Sequence, residues 1–281
     1  MFVGGAIILA GGKSSRMGSP KAALDWHGST LLRRVTGLAQ RSVDGPVVVV
    51  RAPDQELPAL HPAVEVVSDA REGRGPLQGL AAGLAALGDR AQVAYVSSTD
   101  VPLLHPAFIR RVIEAFTADV DVVLPEIGGF RQPLSAAYRT TLLPEVEGLI
   151  AADMLKPAFL FDRCRVLRLD DATMLRDPAL AAADPGLDSV RNLNEPSDYE
   201  QARAQPAPEI EVRRFGTLAV NGAPRRERVL AWSLGEAADA IQLALDEHVV
   251  AALNGDQISR DRDLPLAAGD NLGFMVADAG G

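Results

Sequence analysis

The sequence predicts an α/β protein with a mostly parallel sheet, followed by a small α+β domain. Apolar, β-branched runs alternate with helical patterns through the first half of the chain, as βαβ units require. A short stretch rich in Ala, Gln and Pro, at 201–208, then separates this pattern from short strands arranged around one helix. We therefore expect two domains, 1–205 and 206–281.

The first domain is predicted to begin with a strand buried on both faces, because 3–9 is almost entirely aliphatic. Ser29, Pro76 and Pro106 stand where helices are expected to start. The predicted strands are 6–9, 47–50, 64–67, 93–96 and 120–124, and the predicted helices are 31–39, 77–87 and 108–116.

The second domain is predicted to place strands on either side of one helix. Ser233 followed by Glu236 forms a capping box at the start of a helix over 234–245. The pair Asn221-Gly222 is typical of a tight turn. The predicted strands are 210–212, 217–220, 249–253 and 272–276.

Composition excludes several function classes. The 281-residue chain has a net charge of -9, whereas general binding to nucleic acid or to anionic membranes needs a basic surface. No stretch is long and apolar enough to predict a membrane span. Cys164 is the only cysteine, so no intramolecular disulfide is possible, and we expect a cytoplasmic protein with Cys164 as a small buried hydrophobe. The four histidines are too far apart in sequence to predict zinc.

The segment 9–21, Leu-Ala-Gly-Gly-Lys-Ser-Ser-Arg-Met-Gly-Ser-Pro-Lys, follows the first predicted strand. Its glycines allow backbone N–H groups to approach a polyphosphate, and Lys13, Arg16 and Lys21 supply positive charge. The chain's only lysines are Lys13, Lys21 and Lys156, so two of them lie in this loop. The segment is not a P-loop, because Gly18 is followed by Ser19-Pro20. We interpret it as a phosphate cradle rather than a solvated turn.

The same segment resembles the signature of nucleotidyltransferases, and it is most similar to the MobA-like molybdenum cofactor guanylyltransferases. Four further segments match in the expected order: Gly-Pro-Leu-Gln-Gly-Leu at 75–80, Thr-Asp-Val-Pro at 99–102, Gln-Pro-Leu at 132–134 and Asn-Leu-Asn-Glu-Pro at 192–196. The resemblance covers about 3–205 and implies a Rossmann-like sheet for the first domain.

The resemblance also implies roles for particular residues. Arg16, Lys21 and Asp100 would be catalytic, and Asp100 would also hold Mg²⁺. Gln132, Asn192 and Asn194 would bind the acceptor substrate. Asp100 could instead cap a turn ahead of Pro102, and 75–80 could be simply the start of a helix. The implied nucleotide-binding residues are Leu9, Ala10, Gly11, Gly12, Lys21, Asp69, Gly75, Pro76, Leu77, Gly79 and Asp100.

The reaction implied by the family converts GTP and molybdopterin-bound molybdenum into the guanine dinucleotide cofactor and pyrophosphate. The segment 75–80 favours guanine, but a cytidylyltransferase or a sugar-phosphate nucleotidyltransferase would use the same opening loop. A third hypothesis is a carrier or interaction protein whose first domain only binds nucleotide.

The tail resembles the β-grasp sulfur carriers of the MoaD and ThiS type. The matching features are Leu-Asn-Gly-Asp at 253–256, Leu-Pro-Leu at 264–266, Gly269-Asp270 and the terminal Gly280-Gly281. Such carriers are activated at the last glycine, so the resemblance implies an E1-like activating enzyme and the large subunit of molybdopterin synthase as partners. The alternative is a pure interaction module with a frayed end.

Overall fold

The computed structural model describes residues 2–11, 20–69, 74–219 and 224–277. The chain divides into two compact units, Met1–Ala202 and Arg203–Gly281. Within the described ranges, no helix is both long enough and apolar enough to cross a membrane.

The first unit alternates strands and helices along most of its length. Its strands are β1 (Gly4–Leu9), β2 (Asp25–Trp26), β3 (Ser29–Thr30), β4 (Val47–Arg51), β5 (Val64–Ser68), β6 (Val93–Ser98), β7 (Val122–Ile127), β8 (Phe130–Arg131), β9 (Ser135–Arg139) and β10 (Val166–Asp170). Its helices are α1 (Leu31–Gln40), α2 (Pro76–Leu87), α3 (Pro106–Glu114), α4 (Leu143–Ala151), α5 (Pro157–Phe161), α6 (Asp171–Met174), α7 (Pro178–Ala183) and α8 (Pro196–Arg203).

The predicted mostly parallel sheet is confirmed. Among the described residues the strand order is β10-β7-β9-β6-β1-β4-β5, with β8 paired to β7. Strands β5, β4, β1 and β6 pair in parallel, as do β7 and β10, and β9 runs antiparallel to both of its neighbours. Because the parallel strands all point one way, β1, β4, β5, β6, β7 and β10 end at the same side of the sheet, which we call the carboxyl edge.

Strand β1 is covered on both faces, which explains its uninterrupted burial. A Cβ added at Gly4 would lie 3.2 Å from Ile113 of α3, whereas one added at Gly83 of α2 would lie 2.5 Å from Ile7. Alternate residues of β1 therefore face α3 and α2. The glycines allow the backbones of sheet and helix to approach closely.

The helix starts agree with the sequence patterns with one correction. Pro76 and Pro106 occupy the first turns of α2 and α3 as predicted. The expectation that Ser29 starts α1 is wrong: Thr30 is the cap and accepts a hydrogen bond from the Arg33 N–H at 3.2 Å. Ser29 is instead engaged in the short antiparallel pair of β2 and β3.

The second unit contains a mixed sheet and a helix, α9 (Leu234–Ala240). Among the described residues the strand order is β12-β11-β15-β13-β14. The central pair, β11 and β15, is parallel, and the other pairs are antiparallel. Ile210, Leu234, Leu253 and Phe274 belong to a core shared by the sheet and the helix. The strands are β11 (Glu209–Arg214), β12 (Arg226–Leu230), β13 (Val249–Leu253), β14 (Gln257–Ser259) and β15 (Asn271–Val276).

One element of the second unit was predicted wrongly and one was predicted too long. Over 217–219 the expected strand is instead part of a 3-10 helix, Gly216–Ala219, because Gly216 adopts a φ of +57° and turns the chain out of the extended conformation. The last residue of that predicted strand, Val220, lies outside the described residues. The turn pair Asn221-Gly222 lies outside the described residues.

The helix expected to reach residue 245 stops at Ala240, because Gln242 has a left-handed φ of 56°. The N–H groups of Gln242 and Leu243 then bond to the carbonyls of Asp239 and Ala238, which is a Schellman motif. The capping box at its start is confirmed in one half, since Ser233 accepts from the Glu236 N–H at 3.2 Å. The Glu236 carboxylate accepts instead from the Trp232 N–H at 2.6 Å, one residue before the position that a capping box uses.

Candidate active site

Three polar side chains that are far apart in sequence meet at the carboxyl edge, where β6 ends. The Lys21 ammonium donates to the Asp100 Oδ2 at 2.7 Å and to the Asn194 Oδ1 at 3.2 Å. Lys21 begins the short 3-10 helix Lys21–Ala23, Asp100 follows β6, and Asn194 precedes α8. We call these residues the Lys21 cluster. The structure thus brings together three residues that the sequence analysis proposed for the site.

Asp100 is held by two further hydrogen bonds besides that from Lys21. Its Oδ1 accepts a hydrogen bond from the Ser98 hydroxyl, and its backbone carbonyl accepts from the Leu193 N–H at 2.8 Å. The side chains of Lys21 and Asp100 are 21% and 15% exposed. This partial burial weakens solvent screening of the ion pair, but leaves both groups accessible to a ligand.

Asn194 is oriented by the start of α8. The Asp198 Oδ2 accepts from the N–H groups of Asn194 and Glu195 at 3.0 and 2.9 Å. These backbone donors, first that of Glu195 and then that of Asn194, lower the pKa of Asp198 and favour its ionised form. The Tyr199 hydroxyl also donates to the Asp25 carbonyl, which ties α8 to the β2–β3 hairpin.

The chain leading to Asn194 is fixed by a buried carboxylate. Asp184 is 7% exposed and accepts from the Asp188 N–H, the Ser189 N–H and the Ser189 hydroxyl at 2.6 to 3.0 Å. The Ser189 Oγ in turn accepts from the N–H of His105, the residue before α3. These bonds anchor the segment that delivers Leu193 and Asn194 to Asp100.

The end of β1 presents backbone rather than side chains to the carboxyl edge. Leu9 is buried and faces α2, and the Ala10 N–H donates to the Val50 carbonyl at 2.8 Å. A Cβ at Gly11 would lie 3.2 Å from the Ala52 nitrogen, so a larger residue would crowd the neighbouring loop. The part of the predicted cradle at 12–19, which includes Gly12, Lys13 and Arg16, lies outside the described residues.

The 75–80 segment forms the amino end of α2. Gly75 has a φ of +81° at the cap position, and Pro76 occupies the first turn. Leu77 is 1% exposed and packs in the core, so its side chain is not available to a ligand. Gly79 lies against Leu9, where an added Cβ would be 2.9 Å from the Leu9 Cδ2. The segment is therefore a helix start whose backbone N–H groups point to the carboxyl edge.

The other predicted residues lie at the same edge but beside other elements. Asp69 follows β5 and donates its N–H to the Arg51 carbonyl at 2.7 Å. Gln132 lies between β8 and β9, and its side chain donates to the Phe130 carbonyl at 3.3 Å. Asn192 is exposed. These hydrogen bonds do not join the three residues to the Lys21 cluster.

Sequence reasoning missed Ser98, Asp198 and Gln55. Asp198 had a signal, since an acidic residue just after Pro196 is typical of a helix first turn. Ser98 had no signal of its own, because it lies two residues beyond the predicted strand 93–96 and in none of the matched segments. Gln55 had no signal, because its contacts with the Ala10 and Ala52 backbones depend on the packing of two loops.

A hard cation has one carboxylate ligand available in the Lys21 cluster. No group of three or more His, Cys, Asp or Glu side chains gathers anywhere in the described part of the chain. A single carboxylate suits Mg²⁺ better than zinc or calcium, because Mg²⁺ keeps several waters and takes further oxygens from substrate phosphates. Asp100 is the residue that would hold it.

A cation and a single carboxylate at the carboxyl edge of a parallel sheet are suited to phosphate-bearing ligands. The comparisons with known proteins define the class as nucleotidyltransferase. Within that class, the chain belongs to the MobA-like NTP transferase domain family, whose model matches residues 6–164.

Individual relatives agree with this assignment. A protein of Mycobacterium tuberculosis described as a probable molybdenum cofactor guanylyltransferase is 38% identical over 168 residues, which span 58% of this chain and 81% of that relative. The fold is similar to that of molybdopterin-guanine dinucleotide biosynthesis protein A from Archaeoglobus fulgidus, with a TM-score of 0.57, 22% identity and coverage of 71% of this chain and 96% of that one.

A cytidylyl enzyme shares the architecture as well. The 4-diphosphocytidyl-2C-methyl-D-erythritol synthase of Anaerococcus prevotii has a TM-score of 0.50 and 14% identity, with coverage of 72% of this chain and 94% of that one. The fold alone therefore does not select the nucleotide base.

Proposed function

We propose that the first domain, over 1–205, transfers GMP from GTP to the terminal phosphate of molybdopterin that carries bound molybdenum. The Lys21 cluster is the observation that carries this proposal, because it combines a cation for a polyphosphate with a carboxylate for a divalent metal. The guanine and pterin assignments are supported by the M. tuberculosis relative, whose described activity is guanylyl transfer.

In the proposed reaction, a terminal phosphate oxygen of the pterin attacks the α-phosphorus of GTP. A new phosphorus–oxygen bond forms, the bond between the α-phosphorus and the bridging oxygen breaks, and pyrophosphate leaves with that oxygen. The attacking phosphate is already anionic at neutral pH, so the step needs no general base. Catalysis then consists of positioning and charge stabilisation, as is usual for transfer of phosphoryl-type groups.

Each cluster residue has a distinct part in this scheme. Lys21 would neutralise charge on the leaving pyrophosphate, together with Arg16 of the predicted cradle. Asp100 would hold Mg²⁺, which supplies charge stabilisation to the phosphates when bound. Asn194 accepts a hydrogen bond from the Lys21 ammonium at 3.2 Å, so it would help to hold that ammonium in place as well as contact the acceptor. Asn192 and Gln132 would bind the acceptor.

The proposed nucleotide site extends over the backbone of Leu9, Ala10 and Gly11 and the start of α2 at Gly75. The set proposed from the sequence is completed by Lys21 and Asp100 of the cluster and by Gly12, Asp69, Pro76, Leu77 and Gly79. Leu77 would act through its backbone, because its side chain is in the core. Gly79 would contribute by allowing α2 to lie close to Leu9 at the end of β1.

Thermal melting with different nucleotides tests the base assignment. At a GTP concentration about 100 times Kd, binding adds about 2.7 kcal/mol and raises Tm by roughly 5–10 °C for a domain of this size. We expect GTP with Mg²⁺ to produce this shift and CTP and UTP to produce little. Lys21→Met, which keeps the length of the side chain without its charge, should reduce the shift. Equal shifts with all the nucleotides would contradict the guanine assignment.

A cytidylyltransferase or a sugar-phosphate nucleotidyltransferase is the competing enzyme hypothesis. A larger Tm shift with CTP or UTP than with GTP would favour it. If the nucleotides bind but no acceptor releases pyrophosphate, the first domain would instead be a binding module.

We propose that the second domain, over 206–281, is a β-grasp sulfur carrier of the MoaD and ThiS type. What supports this is the strand order β12-β11-β15-β13-β14, in which the first and last strands of the domain form a central parallel pair and one helix packs on the sheet. The proposed carrier terminus, Gly280 and Gly281, lies outside the described residues.

The carrier hypothesis makes a chemical prediction at Gly281. Its carboxylate would attack ATP to give an acyl-adenylate and pyrophosphate, and a sulfur donor would then displace AMP. Intact-mass measurement after incubation with an E1-like activating enzyme, ATP and a sulfur donor should show one oxygen replaced by sulfur. A chain lacking Gly281 should remain unchanged. An unmodified wild-type terminus would favour an interaction module over a carrier.

A further inference from the structure

Gln55 joins two backbone segments at the carboxyl edge. Its Nε2 donates to the Ala10 carbonyl at 3.0 Å, and its Oε1 accepts from the Ala52 N–H at 3.0 Å. Both ends of one side-chain amide are therefore used to connect the loop after β4 with the end of β1.

The Gln55 side chain is presented from a well-anchored turn. The Gln55 N–H donates to the Ala52 carbonyl at 3.2 Å, and the Gln55 carbonyl accepts from the Arg51 guanidinium at 2.9 Å. Arg51 also donates to the Ser68 hydroxyl at 3.2 Å, which connects the turn to β5. These contacts fix the position from which the amide reaches Ala10.

The bond to Ala10 determines how the next peptide group is oriented. In a trans peptide the C=O of one residue and the N–H of the next lie in one plane and point in opposite directions. No cis peptide bond occurs in the described residues. Since Gln55 holds the Ala10 carbonyl toward the loop after β4, the Gly11 N–H points away from that loop.

We infer that Gln55 is a positioning residue that aims the Gly11 N–H at an acceptor atom of the bound nucleotide. This inference rests on the proposed function, which places the nucleotide against the backbone of Leu9, Ala10 and Gly11. The inferred role is indirect, because each end of the Gln55 amide is bonded to protein backbone and orients the peptide that precedes Gly11. Its loss should therefore weaken nucleotide binding while leaving acceptor binding unchanged.

Gln55→Met tests this role, because methionine keeps the length of the side chain and removes both hydrogen bonds. The matched control is Gln92→Met. Gln92 accepts from the Val3 N–H at 3.2 Å, so this variant removes a glutamine-to-backbone bond at the opposite end of β1. Calorimetric Kd for GTP with Mg²⁺, steady-state kcat and KM for both substrates, and Tm are measured for the full chain.

We expect Gln55→Met to raise Kd and KM for GTP about five- to tenfold, the loss of roughly one hydrogen bond. The kcat and the KM for the acceptor should stay within about twofold of wild type, and Gln92→Met should leave all four values near wild type. An unchanged Kd for GTP, or equal losses for GTP and acceptor, would overturn the inference.

Gln55→Glu separates positioning from support of the turn. The carboxylate still accepts from the Ala52 N–H but cannot donate to the Ala10 carbonyl. In about 1 M salt, where the Debye length is about 3 Å and the added charge is screened, this variant should bind GTP as weakly as Gln55→Met. Wild-type affinity in Gln55→Glu would show that Gln55 only stabilises the turn, and would overturn the inference.

The same measurements distinguish failure of the proposed function from failure of the inference. If wild type prefers CTP to GTP, the guanine proposal fails. The inference about Gln55 then requires Gln55→Met to raise Kd and KM for CTP at least fivefold. If wild type binds no nucleoside triphosphate, both proposals are overturned.

Discussion

The close contact between α2 and β1 predicts that Gly83→Ala is destabilising, although alanine is the better helix former. A Cβ at residue 83 would lie 2.5 Å from the Ile7 Cγ2 and 2.8 Å from the Ile7 Cδ1 and Cγ1. Ile7 is fully buried, and β1 is bonded to β4 on one side and β6 on the other. Ile7 therefore cannot move away from α2 without disturbing the centre of the sheet.

The expected magnitude follows from two opposing terms. Replacing glycine with alanine inside a helix gains about 1 kcal/mol of helix propensity. Overpacking a close-packed core costs typically 1–3 kcal/mol, and contacts below 3.0 Å with three atoms of Ile7 put this substitution at or above the upper end. We expect a net loss of about 2 kcal/mol in the free energy of unfolding.

Urea denaturation of the variants measures this loss. Gly148→Ala is the matched control, because it lies in α4 and an added Cβ there meets nothing within 4 Å, so it should stabilise by about 0.5–1 kcal/mol. Ile7→Ala alone should cost about 2–5 kcal/mol, but combined with Gly83→Ala it should cost less than the sum, with a coupling of about 2 kcal/mol. A neutral or stabilising Gly83→Ala, or strict additivity with Ile7→Ala, would refute the reasoning.

Three further predictions concern single side chains. The Arg165 guanidinium lowers the pKa of Asp121 from 3.8 to about 2. The ionised Asp121 carboxylate therefore adds to the free energy of unfolding above about pH 4, and this stabilisation is lost as the pH falls toward 2. Asp121→Asn should lower the free energy of unfolding in urea by about 1 kcal/mol at pH 6, a value reduced because solvent screens the exposed Arg165 guanidinium. An equally large loss at pH 3 would contradict this prediction. Burial raises the pKa of Cys164 to about 11, so iodoacetamide at pH 8 should label this thiol far more slowly than a free cysteine. Equal labelling rates would contradict the raised pKa. Asp184→Ala removes the acceptor of the Ser189 N–H and hydroxyl, so the free energy of unfolding, measured by thermal unfolding, should fall by about 2–4 kcal/mol. An unchanged Tm would contradict this prediction.

The sheet could be predicted from the sequence where the chemistry is local. The aliphatic residues of β1 and the prolines before α2 and α3 predicted those elements because burial and φ restriction act on neighbouring residues. The antiparallel strand β9 was not predicted, since its pairing with β6 and β7 depends on contacts made by residues far apart in sequence. The short α9 depends on the left-handed Gln242, a conformation that glutamine rarely adopts.

The candidate site divides in the same way. Asp100 and Lys21 were found because each stands in a recognisable local segment, and their contact at 2.7 Å follows from the sheet topology. The contributions of Gln55 and Asp184 were missed, because their hydrogen bonds connect loops whose approach no local pattern encodes. Leu77 shows the opposite case. A matching sequence segment predicted that it binds nucleotide, but its side chain packs in the core.

Pyrophosphate release by Asp100→Asn tests the central claim most directly. The substitution preserves the shape of the side chain and removes the carboxylate that Lys21 contacts. With GTP, Mg²⁺ and molybdopterin-bound molybdenum, wild type should release pyrophosphate, and Asp100→Asn should lower kcat by about 100-fold or more. Asp44→Asn, an exposed aspartate outside the site, should leave kcat unchanged. Turnover near wild type in Asp100→Asn, or release from CTP in preference to GTP, would contradict guanylyl transfer at the Lys21 cluster.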